Sequence, residues 1–145
     1  MNASTPPLLA ICEGTKARPR KAPVMRPREI KLHMDVAKVL REHALPEWQW
    51  CHIPNGELRD KHTAGKLKQM GVKPGWPDFI LAPPSGQLHC LELKRYGETL
   101  SEVQETFQLW CIRHNVPHSV ADSLDQALAV FDHWGCLRLK IGGAR

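Results

Sequence analysis

The 145-residue sequence has no apolar run close to the roughly 20 residues that a membrane-spanning helix requires. The apolar run nearest the start, residues 8–11, is too short for the core of a signal peptide and has no basic flank before it. Neither a membrane protein nor a secreted protein is therefore expected. The sequence also lacks a Walker-type phosphate loop, a G-x-S-x-G elbow and a dinucleotide-binding fingerprint.

Five cysteines are present, but none belongs to a C-x-x-C pair, and their odd number and wide spacing argue against a disulfide framework. We expect free thiols in a reducing, cytoplasmic compartment. Cys51, Cys90 and Cys111 lie in apolar stretches, which favours small core residues over nucleophiles. Cys111 is also near His114 and His118 in the sequence, but no fourth ligand is evident, so no zinc site is expected.

The excess of positive charge is confined to the N-terminal segment. Residues 1–28 hold six basic side chains and one acid, whereas the remaining residues balance 14 basic against 14 acidic side chains. This segment is also rich in proline, which predicts a disordered basic arm. A basic arm on a neutral body favours an anionic partner such as nucleic acid, although a solubilising leader would have the same composition.

Hydrophobic periodicity predicts an α/β fold with elements in the order α-β-α-β-β-α-β-α. The predicted helices cover residues 28–44, 59–70, 101–115 and 123–135, and the predicted strands cover residues 48–53, 78–82, 88–94 and 117–121. Ser101 with Gln104, and Ser123 with Gln126, have the spacing of helix N-caps. A strand that follows a hairpin and a helix requires a crossover, which predicts a four-stranded mixed sheet flanked by helices. Residues 137–145 form a basic tail that is either an edge strand or frayed.

Three charged residues lie at the end of the predicted hairpin, where strand composition favours apolar side chains. Asp78 begins one strand, and Glu92 and Lys94 share a face of the other because residues i and i+2 of a strand point the same way. A loop of five residues, 83–87, would pair Asp78 with Glu92 and place their Cβ atoms about 5 Å apart. A slip of one residue would move the two carboxylates to opposite faces of the sheet.

Two carboxylates at this distance repel each other unless a cation lies between them. Oxygen ligands of this kind suit Mg²⁺ or Mn²⁺, which polarise a phosphodiester and acidify a water. Lys94 could then orient or deprotonate the attacking water, or offset charge on the phosphorane. The alternative is a surface ion pair between Lys94 and Glu92 on a solvated strand face.

These charged residues belong to an ordered series of motifs. G-V-K-P-G-W-P-D covers residues 71–78, E-L-K covers residues 92–94, and L-S-E-V-Q covers residues 100–104. The series resembles the VRR-NUC branch of the PD-(D/E)xK nuclease superfamily, and H-I-P-N-G at residues 52–56, followed by a basic helix, is also similar. The likeness runs over residues 29–136 and implies a nuclease domain with a restriction-endonuclease-like αβββαβ core.

The resemblance implies a role for each residue that matches the hairpin motif. Asp78 and Glu92 would be the metal ligands, with the backbone carbonyl of Leu93 as a candidate third ligand. Lys94 would be the catalytic lysine. The cofactor implied is Mg²⁺ or Mn²⁺.

Two residues on helices complete the set that the resemblance implies. Gln104 would point back at the site, or act only as the cap partner of Ser101, or do both. Glu29 would be the acidic residue of the first helix and reach the metal through water, although an acid in a first helical turn is favourable by itself. Glu42 is the less favoured alternative to Glu29.

Single-domain members of the family, found in phages and bacteria, resemble Holliday-junction resolvases and work as homodimers. The resemblance therefore implies a metal-dependent, structure-selective DNA endonuclease that cleaves branched DNA in the cytoplasm of a bacterial or phage-infected cell. Two alternatives stay open: a non-cleaving DNA-binding module of nuclease fold, or an adaptor domain that docks a basic partner through Glu98, Glu102 and Glu105. Residues 1–28 lie outside the family pattern; either they form an extra DNA contact, or the true start is Met25.

Basic residues just before the motif are candidates for contacts with DNA phosphates. They are Arg59, Lys61, Lys66, Lys68 and Lys73, together with the amide of Asn55. A solvated helix face would carry the same residues. Each real phosphate contact would make DNA binding more sensitive to salt.

Overall fold

The computed structural model describes residues 27–55 and 61–138. Its elements follow the predicted order: α1 (Pro27–His43), β1 (Gln49–His52), α2 (Lys61–Gln69), β2 (Phe79–Ala82), β3 (His89–Leu93), α3 (Glu102–Arg113), β4 (His118–Ala121) and α4 (Leu124–Trp134). The predicted arm, apart from its last two residues, and most of the predicted basic tail lie outside the described residues. The α/β class predicted from periodicity is confirmed.

The four strands form one mixed sheet in the order β1-β2-β3-β4. β2 pairs antiparallel with both β1 and β3, whereas β4 pairs parallel with β3. Parallel neighbours cannot be joined by a tight turn, and α3 supplies the crossover between β3 and β4. The predicted four-stranded mixed sheet is therefore also confirmed.

The hairpin of β2 and β3 has the register that the five-residue loop predicts. Its partners are Phe79 with Leu91, Ile80 with Cys90, and Leu81 with His89. Continued by one pair, this register sets Asp78 opposite Glu92. Residues that lie directly opposite each other in an antiparallel pair point to the same face of the sheet, so this register puts the two carboxylates on one face.

Alternation along the strands gives the sheet two different faces. One face contributes Phe79, Leu81, Leu91 and Leu93 to the main core, where they pack with residues of α1 and α4 such as Leu40 and Phe131. The other face carries Asp78, Glu92 and Lys94, and α3 lies on the β4 side of it. The core thus holds the hairpin rigid from one side while the charged residues occupy the other.

The predicted helix caps are present in the structure. The amide N–H of Gln126 donates to the Ser123 hydroxyl at 3.3 Å at the start of α4, and the helix ends at Gly135 in the left-handed conformation, with φ 68°. At the start of α3 the amide N–H of Ser101 donates to Oε1 of Gln104 at 2.9 Å. Local capping chemistry therefore sets where these two helices begin.

One prediction about burial is wrong. Cys51 is exposed rather than part of the core. It lies on edge strand β1 opposite Ile80, on the same face of the sheet as α3. Because α3 packs near β4, at the other edge of the sheet, it does not cover Cys51. Trp110, on α3, is also 48% exposed and stacks on His114 instead of entering the core. Cys90 and Cys111 are buried, as predicted.

Candidate active site

The turn before β2 delivers the carboxylate of Asp78 to the hairpin backbone. In the hairpin register Leu93 lies opposite Pro77, which has no N–H and cannot donate to β3. At the same end of the ladder, Oδ2 of Asp78 accepts the amide N–H of Leu93 at 2.7 Å. The acid is thereby fixed at the end of the ladder, beside Glu92.

A glycine allows this turn to pack against α3. Gly75 has φ 89°, and a Cβ there would lie 2.7 Å from the backbone carbonyl oxygen of Val103. Only glycine can make both the turn and this close approach. The turn is therefore locked to the first turn of α3, which also carries Gln104.

Two polar side chains anchor the same turn from the side of β1. Nδ2 of Asn55 donates to the carbonyl of Trp76 at 2.8 Å, and ring Nδ1 of His52 donates to the carbonyl of Asp78 at 2.8 Å. These contacts explain why polar residues stand at the last position of β1, His52, and at Asn55 just after it. The amide of Asn55, predicted as a DNA contact, holds the turn in this structure.

Glu92, Lys94 and Gln104 form a closed triangle of contacts. Nζ of Lys94 lies 3.1 Å from Oε1 of Glu92 and donates to Oε1 of Gln104 at 2.6 Å, while Nε2 of Gln104 donates to Oε1 of Glu92. Glu92 is only 3% exposed. The amide of Gln104 caps Ser101 at the same time, so both roles predicted for Gln104 coexist.

Burial makes both acids hard to ionise. Burial is the main cause that raises the pKa of Glu92, and the charge of Asp78 adds to it, whereas Lys94 opposes the shift. Burial also raises the pKa of Asp78, against the N–H of Leu93. Two acids in this state are poised to gain stability from a cation.

Glu29 lies close enough for its charge to raise the pKa of both Asp78 and Glu92. It also lines a cavity of about 610 Å³ whose wall includes Lys94 and Arg95. Glu42 is exposed near the other end of α1, where it contacts the ring of His43 at 3.8 Å. The structure thus brings Glu29, and not Glu42, toward the other acids.

His33 is a member of the site that the motifs do not reveal. It lies one turn after Glu29 on α1 and is 6% exposed, with Nε2 3.9 Å from Oδ2 of Asp78. Burial, and secondarily His52, lowers the pKa of His33 to about 4, so the imidazole is neutral at neutral pH. Its i,i+4 spacing from Glu29 is the sequence signal that would have placed it on the same helix face.

The donor set fits a hard divalent cation that keeps several waters. Within residues 27–55 and 61–138 there is no group of three or more His, Cys, Asp or Glu side chains placed to hold a metal ion. Asp78 and Glu92 nevertheless offer two carboxylates. The backbone carbonyl of Leu93 is a further candidate ligand, because Pro77 lies opposite it and has no N–H to donate to it. Mg²⁺ is usually bound through one or two carboxylates with waters completing its shell, which is the kind of ligand set that Asp78 and Glu92 offer.

The predicted DNA contacts lie on an exposed segment. Lys66 and Lys68 are in α2, which has no buried residue in the described part of the chain, and Lys73 follows in an exposed turn. Arg59 lies outside the described residues. The lysines are accessible to a large ligand on the chain segment that leads into Asp78.

Comparisons with protein families, with curated proteins and with solved structures found no match. None of the helices in the described ranges is long and apolar enough to cross a membrane. The function of the site therefore has to be inferred from its own geometry and chemistry.

Proposed function

We propose that this protein is a metal-dependent DNA endonuclease that hydrolyses phosphodiester bonds. One observation carries the proposal: the hairpin register, continued by one pair, sets Asp78 opposite Glu92, both are largely buried, and the ammonium of Lys94 lies 3.1 Å from Glu92. An ordinary surface ion pair would not need a second, largely buried acid whose charge raises the pKa of Glu92. The element order, with α2 inserted after β1, is consistent with the restriction-endonuclease-like core that the motifs imply.

Asp78, Glu92 and the carbonyl of Leu93 would hold Mg²⁺ or Mn²⁺. When bound, the cation would polarise the phosphodiester and increase the acidity of water beside it. Lys94 would place a positive charge where negative charge develops on the phosphorus oxygens. Gln104 would keep that ammonium in place, because its Oε1 accepts from Lys94 while its Nε2 donates to Glu92.

The substrate proposed is branched DNA such as a Holliday junction, cleaved by a homodimer in the cytoplasm. This part of the proposal depends on the motif series of residues 71–78, 92–94 and 100–104. The exposed lysines of α2 and the basic residues 1–28 supply charge for phosphate contacts. A two-fold dimer would present two active sites for paired nicks.

The proposal is tested by incubating the protein with supercoiled, flapped and four-way-junction DNA in Mg²⁺, Mn²⁺ or EDTA. We expect metal-dependent nicking that falls by about 100-fold or more in Asp78→Asn and in Lys94→Met, with DNA binding retained. Glu102→Gln and Lys38→Met are matched controls, because both residues are exposed and lie on α3 and α1 away from the acids.

Three other outcomes would contradict the proposal. DNA binding without nicking would favour the non-cleaving module. Neither binding nor nicking would favour the adaptor. Nicking that persists in Asp78→Asn and Lys94→Met would place the active centre elsewhere.

A further inference from the structure

Four ring side chains form a continuous row beside the candidate active site, which we call the ring strip. They are Trp76 in the turn before β2, Phe107 and Trp110 on α3, and His114 at the end of α3. In that order, successive ring centroids lie 5.2, 6.1 and 4.6 Å apart, with interplanar angles of 41°, 27° and 25°. Neighbouring rings are therefore closer to parallel than to edge-on, as in a stack.

The ring strip is held in place by contacts with the rest of the fold. The carbonyl of Trp76 accepts a hydrogen bond from Nδ2 of Asn55 at 2.8 Å, which anchors the backbone that carries the indole. The ring of His118, on β4, contacts Phe107 with centroids 6.1 Å apart and ties the strip to the sheet. A surface that is already ordered loses little conformational freedom when a ligand stacks on it.

The strip starts next to the catalytic residues that we propose. Trp76 lies two residues before Asp78 in the chain. Its ring partner Phe107 lies three residues after Gln104, which holds Lys94. Residues three apart are neighbours on a helix surface, so the indole lies near Lys94 on the side of the sheet that α3 covers. A strand that reaches Lys94 therefore also reaches Trp76.

The tryptophans of the strip are open to a ligand. Trp76 is 38% exposed and Trp110 is 48% exposed. Among the ring contacts of residues 27–55 and 61–138, Trp76 takes part in one, with Phe107. Large apolar side chains that lie exposed side by side mark a binding surface more often than isolated ones do.

The charges around the strip favour a nucleic acid as its ligand. Lys73 is exposed in the segment that leads into the strip, and Arg113 is exposed three residues after Trp110. The exposed acids Glu102 and Glu105 are not three or four residues from any ring of the strip on α3. Aromatic rings that stack on bases, next to cations that pair with phosphates, are the combination that binds single-stranded nucleic acids.

The apolar surface of the strip is narrow. Val103, one turn before Phe107, is exposed beside it. The other exposed apolar residues of α3, Leu109 and Ile112, lie about 200° and 140° round the helix from Phe107. A protein interface of standard size buries about 800 Å² on each partner, whereas a single base needs only one flat ring face.

We infer that Trp76, backed by the rest of the ring strip, is a stacking platform for an unpaired base of the DNA strand. The inference rests on the proposed function in taking DNA as the ligand. A base that stacks on Trp76 extends the row by one ring, while Lys73 is available to the phosphates beside it. The platform would favour DNA whose bases next to the active site are not paired.

The test separates the contribution of bases from that of phosphates. An oligothymidylate of about 12 nucleotides and an oligomer of equal length with abasic tetrahydrofuran residues carry the same phosphates, but only the first has bases to stack. Binding of each to the full chain is measured by fluorescence anisotropy in EDTA. We expect the unmodified protein to bind the oligothymidylate at least about 5-fold more tightly, and Trp76→Ala to lose most of this preference.

Two further variants control the measurement. Trp76→Phe keeps an aromatic ring and should keep part of the preference. Leu109→Ala is the matched control, because Leu109 is 52% exposed on α3 and lies outside the strip, so its preference should equal that of the unmodified protein. An undiminished preference in Trp76→Ala would overturn the inference.

A measurement on the unmodified sequence keeps the inference testable if Trp76→Ala does not fold. The full chain is labelled with 5-fluorotryptophan, and its ¹⁹F signals are assigned with Trp76→Phe and Trp134→Phe. Oligothymidylate should shift the signal of Trp76 and leave that of Trp134, on α4, unchanged, and the abasic oligomer should shift neither. Equal shifts of the Trp76 signal by the two oligomers would overturn the inference.

The two proposals fail in different ways. If the protein nicks DNA but Trp76→Ala keeps the preference for bases, the inference is wrong and the endonuclease proposal stands. If the preference depends on Trp76 but no DNA is nicked in Mg²⁺ or Mn²⁺, the endonuclease proposal is wrong and the platform stands. If no oligomer binds, both are wrong. If Trp76→Ala lowers the sedimentation mass and leaves the preference unchanged, the strip is a contact between copies of this chain and the inference is wrong.

Discussion

Replacing both buried acids by their amides, as Asp78→Asn and Glu92→Gln, should stabilise the metal-free protein, and the gain should grow as the pH rises. Burial raises the pKa of both carboxyl groups in the folded state. Above a pH of about 4, the ordinary value for these groups, the unfolded chain releases the two protons while the folded protein still holds them. Rising pH therefore favours unfolding.

The size of the effect follows from proton linkage. Over the pH range in which an acid is ionised only in the unfolded state, each acid costs up to about 1.4 kcal/mol of unfolding free energy per pH unit. The side chains are 13% and 4% exposed for Asp78 and Glu92, so solvent screening relieves little of this cost. The amides keep acceptors for the N–H of Leu93 and for Gln104 but have no charge to desolvate.

The assay is urea denaturation at pH 5, 6 and 7 in EDTA, with the double variant compared with the unmodified protein. The pKa of His33 is lowered from 6.5 to about 4 in the folded protein. His33 therefore stabilises the folded state fully above about pH 6.5, and this contribution is lost as the pH falls toward 4. This contribution opposes that of the acids but is common to both proteins, so the difference between them isolates the acids. Glu102→Gln, which changes an exposed acid, should show no pH-dependent difference.

If the two proteins differed in unfolding free energy by the same amount at all three pH values, the reasoning would be refuted. That result would mean that the two acids ionise alike in the folded and unfolded states. Mn²⁺ provides a further check. The cation should raise the stability of the unmodified protein and leave the double variant unchanged, because only the ionised acids bind it. A gain of the same size in both proteins would also count against the site.

Gly75→Ala should cost at least about 1–3 kcal/mol of unfolding free energy, because the new Cβ lies 2.7 Å from the carbonyl oxygen of Val103. Gly71→Ala is the control, because Gly71 also has a positive φ but no atom within 4 Å of the new Cβ. It should cost only the backbone strain of about 1 kcal/mol. Chemical denaturation measures both, and equal costs would mean that the turn does not press on α3. His33→Leu should leave the metal-free protein as stable or up to about 1–3 kcal/mol more stable in thermal denaturation with EDTA, since it removes two unsatisfied nitrogens at similar volume; a clear loss would show that a water already satisfies the imidazole. Lys66→Ala should lower the slope of log K against log salt for DNA binding by about 0.9, and an unchanged slope would show that this lysine contacts no phosphate.

Sequence patterns are sufficient for the order of elements, the helix caps and the hairpin register. The register depends on loop length and on the two-residue period of a strand, both of which are local properties. The pairing of Asp78 with Glu92 therefore follows from local pattern, and the observed ladder agrees with it. Burial on helix and edge-strand surfaces is less predictable, since Cys51 and Trp110 lie in apolar stretches but on faces that the described residues leave open.

The sequence alone determined which acids face each other, because that pairing needs only a short loop and an alternating strand. Tertiary packing decided the rest of the site: α3 brings Gln104 onto Lys94, and α1 brings His33 to within 3.9 Å of Asp78. Contacts between residues so far apart in the chain depend on how helices dock on the sheet, which no local periodicity encodes. Burial, and with it the raised pKa values of the two acids, arises only when those helices exclude water from the sheet.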